Sequence, residues 1–381
     1  MTRRRDIGTD DPRVRVRPGR GSRPRTKRRP AHDDAVVGTV IRIDRGHYRI
    51  RLAEVALTED GTGDITAMKA RELGRGRVVV GDRVAVVGDA SGRRGTLARM
   101  VRVQERRTLL RRSAEDGDAA GSERPVVANA DLLVIVTAVA DPAPRPRMID
   151  RYLVAAYDAG MEPLLVLTKS DLADASPLLD LYEPLGVRSA ATRLGPSGRE
   201  DASQADDGLR AVREALAGRT SVLVGHSGVG KSTLINALVP GAHRATGSVN
   251  EVTGRGRHTS ASLQALELPG GGWVIDTPGV RSFGVVHVGS ADVLRGFPDL
   301  AEVARDCPRG CTHEAGALDC ALDEWAGAAP PGARPGGGPG PQEAADAVPA
   351  RARRARVESF RRLLAPSLEA EDPTLPAGPR R

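Results

Sequence analysis

"TSVLVGHSGVGKSTLINALV" occupies residues 220–239, and "TKSD" stands upstream of it at 168–171. The first stretch reads as an apolar strand, a loop of the form G, four residues, GK[ST], and a helix, which is the context a phosphate-binding loop requires. Its glycines let backbone N–H groups curl round phosphate oxygens, and its helix presents a positive N-terminal end. The candidate nucleotide-binding residues here are Gly225, His226, Ser227, Gly228, Val229, Gly230, Lys231, Ser232 and Thr233. Lys231 is expected to reach the β- and γ-phosphates, and Ser232 to offer its hydroxyl to Mg2+. Such a loop ordinarily opens its domain, with the base-reading motif downstream. Here the order is reversed.

Downstream, "WVIDTPG" at 273–279 ends a strand on an aspartate. Asp276 is placed to hold the Mg2+ shell, and the Gly279 N–H to face the γ-phosphate. Between the two motifs "TGRGRHTS" at 253–260 has no core pattern and reads as a mobile loop, with Thr259 completing the magnesium set of Ser232, Thr259 and Asp276. Upstream, "TKSD" (Thr168, Lys169, Ser170, Asp171) closes the apolar strand "PLLVL". Asp171 can accept from the guanine N1–H and exocyclic amine, while the Lys169 stem lies over the ring. "SAAT" at 189–192 adds candidate backbone contacts to the base.

From 131 onward apolar strands alternate with helical segments, so a mainly parallel sheet covered on both faces is expected. Before it, 34–103 carries short β-branched runs broken by Gly and Asp, the pattern of a small five-stranded barrel. The expected organisation is a disordered basic tail at 1–33, the barrel at 34–103, a charged linker at 104–125 and a nucleotide-binding domain at 126–289. A helical metal-binding domain follows at 290–326 with 350–366, interrupted by a flexible Gly/Pro insertion at 327–349 and ended by a disordered tail at 367–381.

The net charge of +8 is mostly a tail, because residues 1–30 hold eleven Arg and one Lys against three Asp. Of 57 cationic side chains only four are Lys, and two of those are Lys169 and Lys231. A compact ammonium is kept where a planar guanidinium does a different job. No apolar run approaches the roughly eighteen residues of a membrane span, and the N-terminus lacks a secretory core. A cytoplasmic protein with no membrane partner is expected. All three cysteines fall in 307–320, where Cys307, Cys311, His313 and Cys320 offer the three thiolates and imidazole of a structural zinc site. Its coordination would contribute roughly 10 kcal/mol or more to a module with few apolar residues, so chelation is expected to unfold it. The arginine tail, the barrel and the basic helix "RARRARVESFRRLL" at 351–364 suit RNA phosphates. Tyr48 is the barrel's only aromatic residue, which points to folded RNA and not to stacked single strands.

The ordered set of "TKSD", "GHSGVGKST", "GRGRHTS" and "DTPG", with the barrel before and the Cys/His cluster after, resembles the circularly permuted small ribosomal subunit biogenesis GTPases, the RsgA family. The resemblance covers roughly 34–326 and the final helix. It implies an OB-fold barrel, a circularly permuted α/β P-loop GTPase domain and a C-terminal helical zinc-binding domain. It further implies a monomer that binds GTP or GDP with Mg2+, docks on the small ribosomal subunit and its rRNA in late maturation, and hydrolyses GTP to GDP and phosphate under stimulation by the subunit. Three departures stand out. Thr168 replaces the usual Asn, which removes an amide that braces the guanine site. Val280 follows "DTPG" where Ras-like enzymes carry a water-orienting glutamine, leaving His258 as the local substitute beside Thr259 and Lys231 in the candidate catalytic set. The family pattern also has one residue more between its first two cysteines. Val280 keeps open an alternative, a non-hydrolytic RNA-binding scaffold with GTP as structural ligand; a P-loop ATPase is opposed by "TKSD".

Overall fold

The computed structural model describes residues 32–54, 58–73, 77–113, 123–195, 207–240, 242, 263–277, 290–327 and 350–364. Strands β1 (Val36–Asp44) and β2 (His47–Leu52) form a hairpin whose two turn residues, Arg45 and Gly46, both have positive φ, the geometry that matches strand twist. With β3 (Asp64–Lys69), β4 (Arg83–Gly88) and β5 (Ala98–Val103) they run in the order β1-β2-β3-β5-β4, and a β1–β4 pairing closes the ring. Val40, Ile50, Leu52, Ile65, Val84, Val86 and Met100 fill it. The expected five-stranded barrel is present.

Within 104–125, expected as a linker, the described residues 104–113 and 123–125 include two strands. Strand β6 (Leu109–Ser113) pairs with β7 (Glu123–Ala128), and Leu110 is buried with Val127 under the α/β layer. Of the charged residues there, Arg106 turns inward and pairs with fully buried Asp82 at 2.7 Å, while Arg107 is exposed and pairs with Asp131 at 2.7 Å.

The α/β layer contains β8 (Leu132–Ala138), α1 (Pro146–Ala159), β9 (Glu162–Thr168), α2 (Ser176–Tyr182), β10 (Arg188–Ala191), α3 (Asp207–Leu216), β11 (Thr220–Val224), α4 (Lys231–Leu238), β12 (Gln264–Glu267) and β13 (Trp273–Asp276). Every residue of β8 is buried, as expected for a central parallel strand covered on both faces. The order is β10-β9-β8-β11-β13-β12, parallel except at β12. Beyond β12 the ladder continues without a break into β1, so barrel and α/β layer share one eleven-stranded sheet. Val40 faces the barrel core while its neighbour Ile41 enters the α/β core.

The C-terminal helices α5 (Ser290–Leu294), α6 (Pro298–Val303), α7 (Ala321–Trp325) and α8 (Ala350–Leu364) pack against α1. Tyr157, Phe297 and Phe360 form an edge-to-face column with centroids 5.0 and 5.6 Å apart. Gly296 has no alternative beside it, since a Cβ there would lie 2.2 Å from the Tyr157 ring. This region shares its core with α1, so a metal would not be its sole support. The arginines of α8 also turn inward more than the sequence suggested. Arg356 pairs with Asp299 and donates to the Pro184 carbonyl at 2.9 Å, and Arg362 reaches buried Asp150 while lying 5.2 Å over the Tyr182 ring. Burial raises the Asp150 carboxyl pKa against the pull of Arg362. Much of the helix's charge is spent inside the molecule.

Candidate functional site

Parallel strands deliver their C-terminal ends to one edge of the sheet, where a crevice forms. Here that edge collects Thr168 from β9, Gly225 after β11 and Asp276 from β13. Gly225, Gly228 and Gly230 all have positive φ, and a Cβ on Gly225 would sit 2.2 Å from the Val136 carbonyl oxygen. The loop therefore lies closer to its neighbouring strand than any residue with a side chain allows. Val229 is fully buried and anchors the loop from beneath.

Lys231 folds back over the loop and donates to the carbonyls of Gly225 and His226, the latter at 2.8 Å. Burial pushes its pKa below the usual lysine range, and the Asp276 carboxylate opposes that shift. A largely buried ammonium in a glycine cradle, at the start of α4, fits a polyphosphate. Ser232 and Thr233 follow on the first turn, half-buried, and Ser227 and Gly228 are exposed. Buried Asp276, with the Ser232 hydroxyl, is a hard-oxygen donor set suited to Mg2+. Next to it, Thr277 Oγ1 donates to the Leu223 carbonyl at 2.8 Å and pins the chain to β11.

The segment 168–171, expected to read the base, is physically tied to this loop. Thr168 Oγ1 donates to the Val229 carbonyl at 2.6 Å, so the threonine supplies the brace that the missing amide was expected to remove. Lys169 has positive φ, and its Nζ donates to the Asp141 carbonyl with the Asp141 carboxylate 3.7 Å away. Ser170 N–H donates to the Thr192 carbonyl at 3.1 Å, bringing the "SAAT" strand end to the motif. Asp171 is exposed at the turn that follows. His258, Thr259, Gly279 and Val280 lie outside the described residues. Sequence reasoning missed Asp141 and Pro142, which contact Lys169 and approach Gly228; no motif marks them.

A second cluster lies between α6 and α7. The ligand atoms of Cys307, Cys311, His313 and Cys320 all fall within 4.8 Å of one another. Cys307 Sγ is 3.5 Å from His313 Nδ1 and 4.0 Å from Cys320 Sγ, and Cys320 Sγ is 3.8 Å from His313 Nδ1. Tetrahedral zinc at ordinary bond lengths implies edges of about 3.6 Å for S–N and 3.8 Å for S–S. The three edges among Cys307, His313 and Cys320 are close to these lengths, and Cys311 lies within 4.8 Å of the other ligand atoms. Arg361, another residue without a motif, surrounds it by donating to the His313 carbonyl at 3.0 Å, to Asp323 at 2.6 and 2.9 Å, and to Cys320 Sγ at 3.7 Å.

A family model described as "RsgA GTPase" matches residues 103–286. The chain is 42% identical over 198 residues to the small ribosomal subunit biogenesis GTPase RsgA of Ectopseudomonas mendocina, covering 52% of this chain and 57% of that protein. It is 38% identical over 269 residues to the protein of the same name from Pseudomonas syringae pv. syringae, covering 70% and 75%. The chain thus spans little more than half the length of the first relative and three quarters of the second. Among solved structures, YjeQ from Thermotoga maritima superposes with a TM-score of 0.54 at 23% identity, over 87% of this chain and 99% of that one. YloQ, described as a circularly permuted GTPase, gives 0.54 at 21% identity over 88% and 97%. At such identities the likeness is one of fold.

Proposed function

The chain belongs to the RsgA GTPase family, a family of GTP hydrolases, and we propose that it hydrolyses GTP in late maturation of the small ribosomal subunit, with turnover stimulated by the subunit and coupled to release. The observation that carries this is the Thr168–Val229 hydrogen bond, which unites base-reading and phosphate-holding motifs in one crevice although the chain visits them in rotated order.

In this reading Asp171 accepts from the guanine N1–H and amine, and the Lys169 stem covers the base while its ammonium is held by the Asp141 carbonyl. Backbone N–H groups of Gly228 to Thr233 hold the β-phosphate, while Lys231 leaves its carbonyl partners for the anionic oxygens between the β- and γ-positions. Mg2+, when bound, neutralises charge developing on those oxygens. Ser232, Thr259 and Asp276 would hold it. His258 orients the attacking water where Val280 cannot, and the Gly279 N–H marks the presence of the γ-phosphate. Cys307, Cys311, His313 and Cys320 hold one structural zinc, a reading supported by the short edges among Cys307, His313 and Cys320 and by the grouping of all four ligand atoms within 4.8 Å.

The barrel supplies phosphate and shape contacts to folded rRNA. GTP turnover measured with and without purified small subunits is the deciding experiment. A rate that the subunit leaves unchanged overturns the functional reading, and a single-turnover assay separates hydrolysis from mere nucleotide retention.

A further inference from the structure

Three facts about the junction between barrel and α/β layer point the same way. Arg42 of β1 is the register partner of Gln264, the first residue of β12, and Gln264 is in turn the partner of Asp276. Asp276 then pairs across to Leu223 of β11. A single transverse row thus crosses from barrel to magnesium-site aspartate with one residue between, a span of about 10 Å at ordinary strand spacing. At the opposite end of the same hairpin, Glu267 pairs with Trp273. There Arg51 of β2 donates to Glu267 at 2.7 Å and to Asp64 at 2.5 Å, and lies 5.0 Å over the Trp273 ring.

The chemistry of Arg51 suits a clamp. Its guanidinium fork joins a barrel carboxylate to a β12 carboxylate while its flat face covers the indole of β13, which no ammonium does. The Arg51 side chain is only 24% exposed and Asp64 only 12%, so that pair is less screened than an open surface pair, while Glu267, 55% exposed, meets the same guanidinium at the rim. Ile41 and Ile43 pack beneath the same junction. The barrel therefore holds both ends of the β12–β13 hairpin and cannot shift without moving the backbone of Asp276.

We propose that this junction, clamped by Arg51, transmits docking on the barrel to the nucleotide site, making Arg51 and Glu267 coupling residues for the stimulation of hydrolysis and not for its basal rate. The idea rests on the proposed function in taking the barrel as a docking module. Neither residue touches nucleotide. Coupling between two binding equilibria is reciprocal, so where docking also biases nucleotide binding through this sheet, the bound nucleotide alters the barrel side of the junction in turn.

The test uses the full chain as wild type, Arg51→Met and the milder Glu267→Gln, with thermal unfolding to verify that each is folded. Basal GTP turnover and subunit affinity should stay near wild type, while the stimulation by purified small subunits falls at least about fivefold, the lower end of ordinary coupling. Stimulation retained within about twofold in both folded variants overturns the proposal. Amide hydrogen exchange at residues 41–43 and 50–52, compared between GDP and a non-hydrolysable GTP analogue without any subunit, separates this idea from the functional reading. A difference in wild type that Arg51→Met abolishes supports the coupling even if subunits fail to stimulate turnover. Exchange that ignores the nucleotide in wild type sinks the coupling whatever the subunits do.

Discussion

The hydroxyl of Thr168 lies 2.6 Å from the carbonyl oxygen of Val229, joining residues 61 positions apart in the chain. Both groups are buried, so neither has water as a substitute partner. The same hydroxyl is 3.3 Å from the Thr137 carbonyl of β8, the strand between β9 and β11. Gly230 packs against the same side chain: a Cβ there would meet Thr168 Oγ1 at 3.5 Å, an ordinary contact distance.

Replacing Thr168 with Val keeps the shape and removes the donor. The Val229 carbonyl is then buried without its partner, at a cost of about 1–3 kcal/mol, and GDP affinity measured by calorimetry is expected to fall by roughly five- to a hundredfold. Thr168→Ser, which keeps the hydroxyl, is expected to stay close to wild type. Equal affinities for Val and wild type refute the brace.

Asp171→Asn exchanges one acceptor oxygen for an amide donor facing the guanine edge. Each lost bond to a charged acceptor is worth about 1.5–3 kcal/mol, so GTP affinity drops at least about tenfold. Xanthosine triphosphate, which carries a carbonyl where guanine carries its amine, gains in relative affinity. Competition binding with both nucleotides reads the switch.

Arg361→Met removes the donor that surrounds the metal cluster while preserving most of the side-chain volume. Zinc affinity, measured by chelator competition, is expected to weaken about 10- to 100-fold, as outer-sphere losses usually do. One zinc per chain is expected by elemental analysis of the wild type.

Chelation itself should loosen residues 307–320 and leave α8 in place, because Phe360 and Val357 are buried against the α/β core independently of the cysteines. Hydrogen exchange resolves this: fast exchange confined to the loop is the expected outcome, and collapse of α8 protection contradicts it.

Phe360→Ala deletes the end of the aromatic column and should cost about 3–5 kcal/mol in thermal or denaturant unfolding. Gly296→Ala pushes a methyl into the Tyr157 ring and should cost about 1–3 kcal/mol. Wild-type stability in either variant would mean that the column does not hold the C-terminal helices.

Much of the site was readable before any coordinates. A phosphate loop declares itself through contiguous glycines because their job is local, a set of positive-φ turns within nine residues. The Cys/His cluster is likewise confined to one short segment, and the buried parallel strands announce themselves by unbroken apolar runs. The strands β6 and β7 were not legible in 104–125, because short strands rich in arginine have the composition of a linker.

The amino-acid order thus carried the fold class, the strand–loop–helix units and the chemistry each could offer, since those depend on neighbours within a few bonds. It did not carry the Thr168 brace, the Asp141 support of Lys169, the inward arginines of α8 or the fusion of barrel to α/β sheet. Those depend on pairs such as Arg51 with Glu267, 216 residues apart, and Arg362 with Asp150, 212 apart. No local pattern encodes such a pair, because a guanidinium on the surface and one buried over an aromatic ring are the same letter. Their roles follow from burial and register, which exist only once the chain has closed on itself.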